Sequence, residues 1–135
     1  MSYAAAGHAA NAGKYQEMQV IAASPGQLVV MVYDHLLVSL RRARMAMERG
    51  DVGERVAQLD KVRNAISELL VTLDLEKGGA IAAQLSGLYT FFLAELLDVG
   101  PRNDVERLDR IATMVEELRD AFAQIAHQPR DVSAA

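Results

Sequence analysis

The sequence predicts an all-α protein, an antiparallel up-down four-helix bundle with a short extra helix at its N-terminus. Apolar residues recur at helical spacing along most of the 135 residues. Hydrophobic residues make up 51% of the chain and aromatic residues only 5%, which favours aliphatic helix packing over aromatic-rich strands. The segments between the periodic stretches are short, and short connections make consecutive helices antiparallel neighbours.

Residues 14–127 form the predicted bundle domain, and both ends of the chain are predicted to be flexible. Residues 1–13 and residues 128–135 are small or polar and lack an apolar face, which is typical of segments that bury too little surface to fold. Residues 14–23 carry apolar side chains at helical spacing, but so short a helix is stable only against another surface. We therefore expect a short leading helix that packs on the bundle.

Capping signals predict where the long helices begin and end. Ser24 followed by Pro25 and Gln27 is a capping box at the start of the first one, and Gly50 is a typical residue to end it. Similar boxes begin at Asp51 and Asn103. The predicted helices cover about residues 25–49, 52–73, 80–97 and 104–125, with a turn over residues 74–79 and a break at Val99-Gly100-Pro101.

Residue types that carry catalytic or metal chemistry are sparse. The chain has no cysteine, which excludes disulfides, thiolate chemistry and cysteine-based zinc sites. The three histidines, His8, His35 and His127, are far apart in sequence and none belongs to the Glu-x-x-His pair of a di-iron bundle. Phosphate-binding loops and nucleophile elbows are also missing. We predict no enzyme activity, no metal and no cofactor.

Charge and hydropathy indicate a cytoplasmic protein that binds neither nucleic acid nor membrane. The net charge of −4 and pI of about 5.3 give no global attraction to polyanions. A local basic cluster at Arg41, Arg42, Arg44 and Arg49 lacks interleaved aromatic residues and is interpreted as a solvated helix face. We identify residues 20–33 as the most apolar stretch, and polar residues and a proline interrupt it. We therefore expect no membrane span. We also expect no secretory signal.

Two segments, residues 28–38 and 81–97, carry more apolar surface than one core-facing stripe needs. A tightly packed bundle would account for this excess, and so would a homodimer seam, which would make the protein a generic dimeric helical adaptor. A groove that binds an apolar helix or strand of another chain would account for it equally well. The periodicity leaves these alternatives open.

His35 supports a third hypothesis of a different class. It lies inside a helix of a small bundle, where histidine phosphotransfer domains place their reactive residue. Those domains usually follow that histidine with a lysine and then a glycine, and this chain has Val38 and Ser39 there. An ordinary helix histidine at the surface is the favoured interpretation.

An ordered set of short motifs resembles the flagellin export chaperone family. The set spans residues 15–125, nearly the whole of the predicted bundle. It comprises Tyr15-Gln16, Ala23-Ser24-Pro25, Tyr33-Asp34, Leu73-Asp74-x-Glu76-x-Gly78-Gly79-x-Ile81-Ala82, and Leu85-x-x-Leu88-Tyr89.

The resemblance implies a cytosolic bundle that binds the disordered C-terminal segment of flagellin in hydrophobic grooves. Such binding prevents premature polymerisation and aids delivery to the flagellar export apparatus. The resemblance makes Tyr15 a residue that covers the groove when the client is absent. The expected partner-binding residues are Tyr15, Tyr33, Asp34, Leu85 and Tyr89 from the motifs, with Leu28, Met31, Ile81 and Leu88 from the apolar rows.

Overall fold

The computed structural model describes residues 25–127, and within them the chain forms helices and no strand. The described part confirms the all-α prediction. The leading helix expected over residues 14–23, and both predicted flexible ends, lie outside the described residues. The helices are α1 Pro25–Arg49, α2 Val52–Thr72, α3 Leu75–Arg102 and α4 Val105–His127.

The helices pack as a four-membered ring. Helix α1 packs against both α2 and α4, and α3 packs against the same two helices from the other side. Because the connections between consecutive helices are only two residues long, each helix runs antiparallel to the one before it. The predicted up-down bundle is therefore confirmed.

The core is a single apolar cluster to which every helix contributes one stripe. Buried residues of α1 recur three and four positions apart, as a helix with one inward face requires. Gln58 of α2 is the buried polar side chain among the described residues, and its amide donates a hydrogen bond to Glu54. The largest fully buried side chains are Tyr33, Leu36, Leu40, Val62, Ile66, Tyr89, Phe92, Leu96, Val99, Leu108, Ile111 and Val115.

The connection between α1 and α2 follows the predicted capping pattern. Gly50 has a φ of +70°, a left-handed conformation in which glycine carries no steric penalty. The Asp51 side chain accepts a hydrogen bond from the backbone N–H of Glu54 at 3.1 Å. Together these contacts satisfy backbone groups that the two helix ends would otherwise leave unpaired.

Helix α3 is longer at its start than the sequence predicts. It begins at Leu75, within the predicted turn, because the Asp74 side chain accepts hydrogen bonds from the backbone N–H groups of Glu76 and Lys77. One helical turn forms before Gly79, whose φ of 55° and ψ of −132° kink the helix. A Cβ on Gly78 would lie 2.5 Å from that of Ala82. The glycine pair therefore bends a helix rather than forming a loop.

Helix α3 also continues through the predicted break and ends at Arg102. Pro101 lies in the last turn, where its fixed φ is compatible with a helix and its ring removes one backbone bond. Asn103, predicted to cap the next helix, instead ends α3 in the left-handed conformation with a φ of 49°. The residue that caps α4 is Asp104, which accepts a hydrogen bond from the backbone N–H of Arg107 at 3.0 Å.

By length and composition, α3 is apolar enough to cross a membrane. Its most apolar 18-residue window has a mean hydropathy of 1.4, and 22% of that window is buried. The expectation that no segment reaches this apolarity is therefore wrong, because α3 carries apolar residues on its outer face as well as on its core face. The core helix of a soluble protein passes the same test, so the finding is weak support for a span.

The kink at Gly79 makes a testable prediction about stability. We expect Gly79→Ala to lower the free energy of unfolding by roughly 1–2 kcal/mol, because alanine is strained at this positive φ. Gly87→Ala, at an exposed helical position with open space around it, should raise the unfolding free energy by about 0.5–1 kcal/mol. Urea denaturation of both variants measures the difference. Equal effects of the two substitutions would contradict the assigned kink.

Candidate functional site

An apolar groove opens at the end of the bundle where α2 turns into α3. Its volume is about 370 Å³, within the range of about 300–1,000 Å³ that is common for binding sites. All four helices contribute side chains to it. The lining residues are Val29, Leu69, Thr72, Leu73, Asp74, Lys77, Gly78, Ile81, Ala82, Leu85, Tyr89 and Phe122.

The outer wall of the groove is formed by the first turns of α3. Ile81 has 67% of its side chain exposed, and nearby Leu75 has 59% exposed. Polar groups occur at the rim, where Asp74 and Lys77 are both exposed. An apolar groove with a polar rim can bind apolar side chains of another chain while that chain's polar backbone stays near water.

Two tyrosines and a phenylalanine form the aromatic base of the groove. Tyr89 and Phe122 line it, while Tyr33 lies fully buried behind them. The hydroxyl oxygens of Tyr33 and Tyr89 are 2.5 Å apart, so one hydroxyl donates to the other across the core. The ring centroids of Tyr33 and Phe122 are 5.7 Å apart, with a tilt of 56° between the rings. The base is thus held by packing from three different helices.

Burial changes the acid–base behaviour of this tyrosine pair. Burial raises the pKa of Tyr33 far above its ordinary value, and the hydrogen bond to Tyr89 adds to the effect. Burial also raises the pKa of Tyr89. Both hydroxyls therefore stay protonated and neutral at physiological pH, and the groove base carries no charge.

The groove brings together three of the predicted partner-binding residues. Ile81, Leu85 and Tyr89 all line it, because they follow one another at three- and four-residue spacing along α3. Tyr33 contributes indirectly, through its hydrogen bond to Tyr89.

The other predicted residues lie elsewhere. Leu28 and Met31 are half-buried on α1, and Leu88 is half-buried on α3. Asp34 is exposed and accepts a hydrogen bond at 2.9 Å from the guanidinium of Arg119 on α4, which ties α1 to α4. Tyr15 lies outside the described residues.

Four large apolar groove residues were not among the predicted site residues: Val29, Leu69, Leu73 and Phe122. In the sequence they belong to ordinary apolar rows. Val29 is near the start of α1, Leu69 and Leu73 are at the end of α2, and Phe122 is near the end of α4. An up-down bundle places the start of one helix beside the end of the next, so the topology provides the signal that these positions meet.

Helix α3 has a second, uncharged surface on its outer side. No charged residue occurs between residues 78 and 94. The exposed positions along this face are mostly small and recur at three- and four-residue spacing: Ala83, Gly87, Thr90, Ala94 and Leu97. By contrast, the exposed faces of α2 and α4 carry Asp60, Lys61, Glu68, Glu116, Glu117 and Asp120. Because most of these side chains are small, another helix could pack closely against this face of α3.

His35 is exposed on α1 and does not line the groove. Within residues 25–127, no group of three or more histidine, aspartate or glutamate side chains is placed to hold a metal ion. The groove lined by Ile81, Leu85 and Tyr89 is apolar and suits a protein segment.

A helical bundle with an open apolar groove defines a class of small binding proteins rather than a class of catalyst. Residues 7–129 match the sequence model of the family described as Flagellar protein FliS. The chain belongs to this family of flagellar secretion chaperones, as its resemblance in sequence predicted.

Named relatives support this assignment along nearly the full chain. The flagellar secretion chaperone FliS of Salmonella typhimurium is 38% identical over 92% of this chain and 93% of its own length. The protein of the same name from Escherichia coli is 32% identical over 94% of each chain. The flagellar secretion chaperone FliSB of Pseudomonas aeruginosa is 32% identical over 82% of this chain and 88% of its own. These relatives are named as chaperones, not as enzymes.

The tyrosine pair makes a prediction about energetic coupling. Tyr33→Phe and Tyr89→Phe should each lower the unfolding free energy by about 1–2 kcal/mol, because each leaves one buried hydroxyl without its partner. The double variant should lose clearly less than the sum, since no hydroxyl then remains unpaired. Chemical denaturation of the four proteins in one double-mutant cycle gives the coupling energy. Strict additivity would show that the two hydroxyls do not interact.

The same pair predicts a loss of stability in alkali. Unfolded tyrosines release their protons near pH 10, whereas the buried pair holds its protons to higher pH because its pKa values are raised. Above pH 10 unfolding therefore releases protons, and the unfolding free energy falls by up to about 1.4 kcal/mol per pH unit for each tyrosine. Thermal melts from pH 8 to pH 11.5 should show a shallower alkaline decline in the Tyr33→Phe/Tyr89→Phe variant. The same decline in both proteins would exclude the pair as its cause.

Proposed function

We propose that this protein is a cytoplasmic chaperone that binds the C-terminal segment of flagellin, with the groove at the end of the bundle as its principal site. The observation that carries the proposal is the open groove lined by Ile81, Leu85 and Tyr89. In this role the protein keeps the client from polymerising early and presents it to the flagellar export apparatus. Family membership supports the export role, and the groove supports an apolar segment as the ligand.

The energetics favour a client that uses more surface than the groove alone. A disordered segment that folds on binding typically buries about 1,000–3,000 Å², and ordering it costs several kcal/mol. The uncharged outer face of α3 adjoins the groove and extends the apolar surface to Leu97, which is 70% exposed. Small residues along this face permit close packing of a client helix. An extended piece in the groove and a helical piece along α3 would together supply the required area.

The start of α1 supports a role for the preceding residues in covering the empty groove. Helix α1 begins at Pro25, and Val29, one turn later, lines the groove. Residues 14–23 precede Pro25 by only a few positions in the sequence. Their short apolar stretch, which includes Tyr15, would compete with the client for the same surface and keep the empty protein soluble. We expect deletion of residues 1–22 to tighten client binding or to lower solubility.

A homodimer is the second candidate use of the apolar surface. The exposed Leu75, Ile81 and Leu97 of α3 would suit a seam between two copies of this chain. Light scattering over a dilution series distinguishes the two uses. A dimer that persists at low concentration and excludes the client peptide would favour the adaptor hypothesis.

Substitution of one groove residue tests the proposed function. Ile81→Asp places a charge in the apolar wall, and we expect at least a 30-fold rise in the Kd for a synthetic flagellin C-terminal peptide. Isothermal titration calorimetry measures the Kd and should give a negative heat-capacity change for the unsubstituted protein.

Val56→Asp is the matched control for that experiment. Val56 is also exposed, at 46%, but lies in the first half of α2, about 20 Å along the helix from Leu69. Its substitution should leave the Kd within about threefold. Equal Kd values for both variants and the unsubstituted protein would remove the groove from the binding site. No binding by the folded, unsubstituted protein would exclude this client.

A further inference from the structure

The outer face of α1 carries an apolar line that the bundle does not use. Met31, Val38 and Met45 are seven residues apart, close to two helical turns, so they lie along one line on the helix. Val38 is 38% exposed and Met45 is 50% exposed. Core-facing residues of α1 occupy the opposite side of the helix. Val38 and Met45 therefore face solvent, and the half-buried Met31 continues the line towards the start of α1.

Two exposed arginines flank this line. Arg41 and Arg42 are exposed and fall between Val38 and Met45, at three- and four-residue spacing from each. Neither has a carboxylate partner among residues 25–127, whereas neighbouring Arg44 pairs with Glu48 and with Asp109 at 2.8 Å. Arg49 also pairs, with Asp51 at 3.6 Å. Within residues 25–127 the bundle thus satisfies two arginines of this cluster and leaves Arg41 and Arg42 available.

A shallow hollow lies beside Arg41, between α1 and α4. Its volume is about 120 Å³, and its apolar residues include Leu37, Leu108 and Ala112. Two carboxylates of α4 also line it. Asp109 pairs with Arg44, and Glu116 is exposed to solvent. The hollow gives the face a recess into which a single apolar side chain can fit.

We propose that the outer face of α1 binds an acidic amphipathic helix of a second partner protein. An apolar row on that helix would cover Val38 and Met45, and carboxylates beside the row would pair with Arg41 and Arg42. Arginine suits this role because its planar guanidinium binds a carboxylate through two parallel hydrogen bonds. Nucleic acid fits less well, because Val38 and Met45, the exposed apolar side chains beside the two arginines, have no aromatic ring on which a base could stack.

This face and the client groove are separate. The groove is at the end of the bundle where α1 begins, with Val29 in its lining. Met45 is sixteen residues further along α1, about 24 Å away at the rise of an α-helix. No residue from 38 to 49 lines the groove. The second partner can therefore bind while the client is held, and this inference does not depend on the identity of that client.

A designed peptide tests the proposal directly. The probe is a fluorescein-labelled 21-residue peptide, rich in alanine and glutamate, with leucine at alternating three- and four-residue spacing to form one apolar row. Fluorescence anisotropy should show saturable binding to the full-length protein. Arg41→Glu/Arg42→Glu should raise the Kd at least tenfold, and so should Val38→Ser/Met45→Ser. Raising the salt from 50 to 300 mM should weaken binding several-fold.

Lys61→Glu/Arg110→Glu is the matched control. It reverses two exposed charges on α2 and α4, and it changes the net charge by the same amount as Arg41→Glu/Arg42→Glu. This variant should leave the Kd within about threefold. Circular dichroism verifies that every variant remains folded, which is expected since the substituted side chains are exposed or partly exposed. Equal weakening by both double charge reversals would overturn the proposal in favour of non-specific electrostatics.

A second probe separates protein from nucleic acid as the ligand. A labelled single-stranded oligonucleotide of the same net charge offers phosphates without an apolar row, and we expect it to bind at least tenfold more weakly than the peptide. Oligonucleotide binding as tight as the peptide's, and unaffected by Val38→Ser/Met45→Ser, would overturn the proposal. Peptide binding that Ile81→Asp abolishes and Arg41→Glu/Arg42→Glu leaves intact would also overturn it, by placing the peptide in the groove.

Discussion

The contact between Tyr33 and Tyr89 is the constraint on which the functional end of the bundle depends. Helices α1 and α3 are on opposite sides of the four-membered ring, and these two side chains span the core between them. A buried hydroxyl is costly unless it is hydrogen-bonded, and each of these satisfies the other. The pair therefore fixes the separation of the two helices at the level where the groove begins. It also sets the depth of the groove, because Tyr89 is part of the lining.

The short connection between α2 and α3 does not cover the groove. Asp74 starts α3 two residues after α2 ends, so the connection between these two helices is too short to fold over the groove. Gly79 then changes the direction of α3 after its first turn. Beyond the kink, Ala82 is buried and Ile81 is exposed, and both line the groove.

The outer faces of the helices have different chemistry, and this division suits a protein with several contacts. Helices α2 and α4 present mixed charges to water, which is typical of solvated surfaces. Helix α3 presents an uncharged face of small residues next to the groove. Helix α1 presents Val38 and Met45 beside two arginines that have no ion-pair partner within residues 25–127. A bundle leaves one face of every helix free, so such surfaces can coexist without disturbing the shared core.

The sequence by itself determined the helical fold, most helix boundaries and the family. Those properties rest on periodicity, on local caps such as Asp51, and on motifs such as Tyr33-Asp34 that are readable along the chain. Local signals misplaced both ends of α3, because glycine and proline are tolerated where a cap or the last helical turn accommodates them. Only the tertiary structure decided that Ile81, Leu85 and Tyr89 meet Val29 and Phe122 in one groove, while Leu28 and Met31 do not line it. The physical reason is that a spacing fixes the face of a helix on which a residue lies, whereas the packing of the helices fixes what that face meets.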